Sequence, residues 1–176
     1  MRAQRSIDRW RWTRQAAGLI LVVVAAAILL AVIGGSVLPG ARQADVAARG
    51  AQVMPFDLDK TTHVFERLDD GGLQSVVADD ASDTDQIALI RSHLQDEAER
   101  FRRGDFGDPA TIHGDAMPGI DALRAGAARI DIRYTETPDG GQIRYATTDP
   151  TLVAAIADWF AAQLGDHGSD ATDHAP

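Results

Sequence analysis

The chain has 176 residues, a formal net charge of −9 and no cysteine, which leaves room for one domain of about 110 residues beside a terminal segment. The absence of cysteine excludes disulfide frameworks, zinc ribbons and thiolate enzymes. Positive charge is concentrated in residues 1–50 and the remainder is strongly acidic. Because an acidic surface repels phosphate backbones, nucleic acid is not an expected partner.

The first predicted element is a transmembrane helix over residues 16–38. This segment (AAGLILVVVAAAILLAVIGGSVL) carries no charge, and a helix of that length crosses a hydrocarbon core of about 30 Å. Five arginines precede it within residues 1–15, whereas only two follow it closely. The positive-inside rule therefore predicts an integral protein of the cytoplasmic membrane with one span, a cytoplasmic N-terminus and an extracytoplasmic remainder. A cleaved signal peptide is the alternative, but its apolar run is usually shorter, about 7–15 residues.

Two irregular segments are predicted to flank the extracytoplasmic domain. Residues 39–55 (PGARQADVAARGAQVMP) are small and lack a period, which is typical of a juxtamembrane linker. Residues 166–176 (DHGSDATDHAP) have the polar composition of a disordered tail. The folded domain is therefore expected to span residues 56–165.

Within this domain one pattern occurs twice. Each copy has a β-type run, an Asp-Gly-Gly turn (residues 70–72 and 139–141), a second β-type run and an amphipathic helix. Glycine suits the positive φ of tight hairpin turns. The apolar alternation is clear in the second hairpin and poor in the first. We predict an α+β fold in which two ββα units form an antiparallel sheet of about four strands with helices on one face.

Capping signals predict where the helices begin. Asp83 followed by Gln86 resembles a capping box, and Asp149 followed by Pro150 is typical of a second helix start. Between the two units, a shorter helix is predicted over about residues 118–125, closed by Gly126.

Enzyme signatures are absent from the sequence. It contains no G-x-S-x-G elbow, no phosphate-binding P-loop, no G-x-G-x-x-G and no H-E-x-x-H motif. The residue types of interest are instead histidine and methionine, because imidazole and thioether together suit a soft ion such as copper where no thiolate is present. The segment TIHGDAMPG carries two such side chains four residues apart. The candidate metal ligands are His113, Met117, His63, Met54 and His93.

A structural role is the alternative for each of these residues. Met117 would pack under a helix start while His113 hydrogen-bonds its loop. His93 would form an exposed pair with Glu97, four residues later on the same helix. The two remaining histidines, at positions 167 and 174, are expected to be solvated in or beside the tail.

Three segments carry a resemblance to a family of uncharacterised bacterial proteins over about residues 53–168. They are MPFDLDKTTHVFERLDDGGLQSVVADD, IRSHLQDEAERFRRGDFGDPATIHGDAMPGI and DPTLVAAIADWFAAQLGDHG. Some members of that family carry the automatic label aspartate carbamoyltransferase. This sequence does not support that activity, which requires two sizeable α/β domains, a phosphate-binding loop and a cytosolic substrate. The resemblance implies the same fold and draws attention to the five candidate ligands.

Three functions are compatible with these observations. The first is a membrane-anchored extracytoplasmic binding or accessory domain that takes a metal ion or small ligand, or docks on a neighbouring membrane protein. The second is a small enzyme that uses histidine and aspartate as acid and base. The third is a purely structural partner domain of a membrane complex.

Overall fold

The computed structural model describes residues 39–168 and 171–173. The predicted cytoplasmic segment 1–15, the predicted membrane span 16–38 and His174 lie outside these residues. In the part of the chain that is described, no helix is both long and apolar enough to cross a membrane. The chain from Gly40 onwards forms one compact unit.

This unit contains two β-hairpins, each followed by helices, in the order expected of an α+β fold. Their bounds are α1 Pro39–Val53, β1 Thr61–Leu68, β2 Gly71–Ala78, α2 Thr84–Arg102, α3 Gly107–His113, α4 Ile120–Gly126, β3 Asp131–Thr137, β4 Gly140–Ala146, α5 Pro150–His167 and β5 Ala171–Thr172. Short 3-10 turns at Leu58–Lys60 and Ala127–Arg129 lead into β1 and β3.

The strands form a five-stranded mixed sheet in the order β3-β4-β2-β1-β5. The two predicted hairpins are present, and β2 pairs antiparallel with β4 at the centre of the sheet. The fifth strand, which the sequence did not predict, pairs parallel with β1. The α+β class is therefore confirmed, with a mixed sheet in place of a purely antiparallel one.

Both long helices pack on the same face of the sheet. A Cβ at Gly72 would lie 2.4 Å from the Phe160 ring of α5, and a Cβ at Gly141 would lie 3.3 Å from Leu94 of α2. Gly72 pairs with Tyr145 in the strand register, and Tyr145 lies four residues after Gly141 on β4. Positions 72, 141 and 145 therefore lie on the same side of the sheet. Because Gly72 and Gly141 have no side chain, the helices approach the strand backbone closely there.

The core lies between this face and the helices. Its centre is aromatic, with the Trp159 ring edge-on to Phe101, Phe106 and Tyr145 at centroid distances of 5.9, 5.6 and 5.7 Å. Each such side chain contributes roughly 1.5–3 kcal/mol through burial and gains further from the edge-to-face geometry. Aliphatic side chains surround the aromatic centre: Ile90, Leu94, Leu123, Ile132, Ile143 and Ile156.

The helix starts agree with the capping signals. The Asp83 carboxylate accepts a hydrogen bond from the backbone N–H of Gln86, 3.2 Å away. The Gln86 side chain completes no reciprocal capping box, because its oxygen accepts from the backbone N–H of Asp57 instead. The Asp149 carboxylate caps α5, and Pro150 occupies the first turn.

The flanking segments differ from the prediction. Residues 39–55, expected to be a linker, form α1 up to Val53, because Val46 and Gly50 are buried four residues apart and give the helix a narrow inner face. The expected tail from residue 166 is helical as far as His167 and forms β5 at Ala171–Thr172. The domain therefore reaches beyond the predicted bounds of 56–165 at both ends.

The segment between the two units also contains more structure than expected. A helix, α3, ends at His113, and Gly114 follows it with a φ of 95°, a value that favours glycine. The predicted helix over residues 118–125 is present as α4 at Ile120–Gly126. His113 therefore belongs to a helix end and not to a loop.

Candidate functional site

Three histidines from three different elements meet between α1 and the sheet. His63 comes from β1, His113 from the end of α3 and His167 from the last turn of α5. The rings of His63 and His167 are stacked, with centroids 5.0 Å apart and planes 15° from parallel. The His113 ring lies edge-on to His167, also at 5.0 Å. His63 and His113 are buried, and His167 is half-buried.

The local periodicity of each element explains this meeting. On β1, alternation places His63 and Phe65 on the helix-covered face. On α5, Phe160, Gln163 and His167 are three and four residues apart, so they share one stripe of the helix. The strand β5 pairs Ala171 with His63, which fixes the end of α5 beside β1.

The three imidazoles and the side chain of Met54 line one small buried cavity, which we call the histidine cavity. Its volume of about 10 Å³ is roughly the room that one water molecule needs. Its deeper wall is polar and includes Gln74, Glu97, Trp159 and Gln163. A larger cavity of about 220 Å³, which we call the outer cavity, lies beneath α1 and shares Met54, His63 and His167 with it.

An arginine–aspartate–histidine chain borders the histidine cavity. The Nδ1 atom of His113 lies 2.9 Å from Oδ2 of Asp166. Arg42 of α1 donates to both oxygens of the same carboxylate and, at 3.4 Å, to the backbone carbonyl of His113. Burial alone would raise the pKa of Asp166, but the hydrogen bonds from Arg42 and His113 outweigh it and lower that pKa. An ionised Asp166 requires Nδ1 of His113 to carry the proton, which leaves Nε2 with a free lone pair.

Burial keeps His63 and His113 neutral. Desolvation lowers the pKa of His63 well below 6.5, and the neighbouring histidines lower it further. Desolvation also lowers the pKa of His113, although Asp166 opposes the shift. Both imidazoles are therefore unprotonated at neutral pH, the form in which imidazole binds metal ions.

The deeper wall of the cavity holds a neutral carboxyl group. Glu97 is 4% exposed, and desolvation, reinforced by Asp108 and opposed by Arg100, raises its pKa from 4.5 to about 8. Its carboxyl oxygen Oε1 lies 3.7 Å from Nε2 of His93, and desolvation lowers the pKa of His93. The pair that was expected to be exposed therefore joins a half-buried His93 to a buried Glu97, and both groups are neutral.

Two donors on the same wall have no partner in the described part of the chain. The indole Nε1 of Trp159 and the amide Nε2 of Gln163 are both buried and make no hydrogen bond there. Buried donors of this kind favour occupation of the cavity by a group that accepts hydrogen bonds, such as a water molecule.

The structure brings together three of the five predicted ligands. Met54, His63 and His113 line the histidine cavity, and His167, expected to be solvated, joins them. Met117 is buried in the core and lines a separate cleft of about 610 Å³ on the other side of His113. His93 contacts Phe56, with ring centroids 5.6 Å apart, and does not line the cavity. Among the residues that the structure describes, no three histidine, aspartate or glutamate side chains are grouped so as to hold a metal ion.

His167 was missed because it lies in a polar segment. Its spacing from Phe160 and Gln163 indicates burial, because it continues the buried stripe of α5 past Gly165. No protein-family model, no curated protein and no solved structure matches the chain significantly. The resemblance to a bacterial family therefore stays a prediction.

Proposed function

We propose that the chain is a membrane-anchored extracytoplasmic binding domain whose histidine cavity takes a soft metal ion such as copper(I). One observation carries the proposal: three imidazoles and one thioether line a single small buried cavity. A soft monovalent ion accepts such neutral nitrogen and sulfur donors without thiolate. The ligands would come from Met54, His63, His113 and His167.

The state of the imidazoles supports this choice. Because His63 and His113 are neutral, a metal ion displaces no proton from them at neutral pH. The Asp166 carboxylate holds the ring of His113 in the tautomer that offers Nε2 to a ligand. In residues 39–168 and 171–173, histidines and carboxylates alone form no group that could hold a metal ion. The proposed set therefore relies on the thioether and on a small inward rotation of the rings.

The test is a copper(I) titration against a chromophoric copper(I) chelator in the full chain. We expect the Met54→Leu, His167→Gln double variant to bind at least about 100-fold more weakly, because it loses two ligands from a small set. The matched control is His93→Gln, Met117→Leu, which changes one histidine and one methionine outside the cavity and should leave the affinity unchanged. Equal affinity of all three chains, or an equal loss in both variants, would contradict the proposal.

The pH dependence gives a second readout of the same titration. Affinity should still fall as the pH drops below 6.5, because protons compete there for the imidazoles of His63 and His113, whose pKa values lie below 6.5. A loss of affinity that is complete above pH 6.5 would contradict binding through His63 and His113.

The membrane part of the proposal rests on the sequence. The uncharged run 16–38 and the arginines before it support an anchor with a cytoplasmic N-terminus. A protease added to spheroplasts should digest the domain and spare residues 1–15. Protection of the domain would place it on the cytoplasmic side.

A second candidate is an acid–base enzyme, which the pairing of His113 with Asp166 favours. The cleft of about 610 Å³ beside this pair is lined by Arg42, Asp115 and Met117 together with small side chains, and no serine or threonine of the described chain lines it. The ring of His113 is also only 1% exposed, so a substrate in the cleft would meet little of it. The titration separates the two functions, because metal binding requires Met54 and acid–base catalysis does not.

A further inference from the structure

Helix α1 covers the outer cavity but is thinly packed on the domain. Its buried residues are Val46 and Gly50, whereas its alanines are exposed. Between this inner face and the stacked rings of His63 and His167 lies the outer cavity of about 220 Å³. A helix above such a void lacks the dispersion contacts that hold α2 and α5 on the sheet.

A bidentate ion pair ties the first turns of α1 to the domain. Nε and Nη2 of Arg42 donate to the two carboxylate oxygens of Asp166, and Nη2 also reaches the carbonyl of His113. The Arg42 side chain is 48% exposed while that of Asp166 is 9% exposed. Water can therefore reach the pair at its Arg42 end. The other arginine of α1, Arg49, pairs within the helix with Asp45.

The opposite end of α1 has the features of a hinge. The helix ends at Val53, and Pro55 lacks the N–H that would continue it. Phe56 is 5% exposed and its ring lies 6.1 Å from that of His63. The chain is thus fixed in the domain directly after Pro55.

We propose that α1 is a lid over the outer cavity and the stacked rings of His63 and His167, hinged at Met54–Pro55 and latched by Arg42 on Asp166. When the latch opens, the helix swings about its C-terminal end and exposes the outer cavity together with His63 and His167. The latch shares Asp166 with His113, so the residue that orients a cavity imidazole also holds the lid closed. The proposal goes beyond metal binding and holds for any ligand that enters this cavity.

The absence of native cysteine provides a direct test, because one introduced thiol is then the sole site of labelling. Val46→Cys places the thiol on the inner face of α1, where the native side chain is 1% exposed. Its labelling rate with a thiol-reactive disulfide in the metal-free full chain measures opening of the lid. We expect Arg42→Ala to raise this rate about fivefold or more, the change that loss of a half-exposed bidentate pair produces. The matched control Arg49→Ala should leave the rate unchanged.

A second thiol position separates lid opening from unfolding of the whole domain. Ala98 lies on α2 and is 0% exposed, so Ala98→Cys is labelled only when the core opens. Arg42→Ala should leave the labelling rate of this thiol unchanged. The proposal would be overturned if Arg42→Ala accelerated labelling equally at both positions, or did not accelerate it at position 46. It would also be overturned if the thiol at position 46 were labelled rapidly in every chain. Since no metal is added, failure of the copper titration would leave this result intact.

Discussion

The buried carboxyl group of Glu97 predicts a stability that falls as pH rises. The folded protein holds a proton on Glu97 up to a pH of about 8, whereas the unfolded chain releases it near pH 4.5. Between these values the folded state binds more protons than the unfolded state, so the free energy of unfolding decreases with pH. The free energy of unfolding falls by up to about 1.4 kcal/mol per pH unit, and by about 5 kcal/mol over the whole range between the two pKa values.

The variant Glu97→Gln isolates this effect, because the amide has nearly the shape of the protonated carboxyl group and does not titrate. The stability of the variant relative to the wild type should rise by about 1.4 kcal/mol per pH unit between pH 5 and pH 8. Buried histidines with a lowered pKa make the free energy of unfolding rise with pH below pH 6.5, which is the opposite trend. Their effect largely cancels in the comparison, because the wild type and the variant contain the same histidines.

Urea denaturation in non-ionic detergent, repeated at each pH, measures the difference. Glu99→Gln is the matched control, because Glu99 lies on the same helix and is exposed; its profile should run parallel to that of the wild type. Parallel profiles for wild type and Glu97→Gln would refute the reasoning, since they would mean that Glu97 is ionised in the folded protein.

Two glycine substitutions should change stability in opposite directions, measured by the same urea titration at one pH. Gly72→Ala should destabilise the domain by about 1–3 kcal/mol, because the new Cβ would lie 2.4 Å from the Phe160 ring. Gly165→Ala should stabilise it by roughly 0.5–1 kcal/mol, because Gly165 is helical and a Cβ there would meet nothing within 4 Å. If both substitutions destabilised the domain, the end of α5 would be more tightly packed than the open space around Gly165 indicates.

The sequence predicts the hairpins and long helices well because their signals are local. The Asp-Gly-Gly turns and the caps at Asp83 and Asp149 depend on residues a few positions apart, and each is present. The first hairpin alternates poorly for a physical reason. His63 and Gln74 occupy inward positions that an apolar side chain would normally fill, and both line the histidine cavity.

The ends of the domain could not be predicted because their stability comes from distant contacts. Alanine-rich α1 shows little periodicity, and its tie to the domain is an ion pair between Arg42 and Asp166, far apart in sequence. The last turn of α5 looks like a solvated tail until its stripe is followed to His167. Met54, His63 and His113 could be identified by residue type, but they come from three separate segments that meet only in the folded domain. The position of His167 beside them depends on the parallel pairing of β5 with β1.

The pairing of β5 with β1 joins segments from opposite ends of the described chain, and this has a consequence for when the cavity forms. The strands of each hairpin are near neighbours in sequence, whereas α2 packs on β3 and β4, α5 packs on β1 and β2, and His63 meets His167 from the far end of the domain. Contacts between such distant segments form late in folding because loop closure precedes them. A chain that ends before Asp166 would retain every residue of both ββα units up to Gly165 and yet have no complete cavity. A ligand that binds this cavity therefore distinguishes fully folded molecules from partly folded ones, and it stabilises only the former.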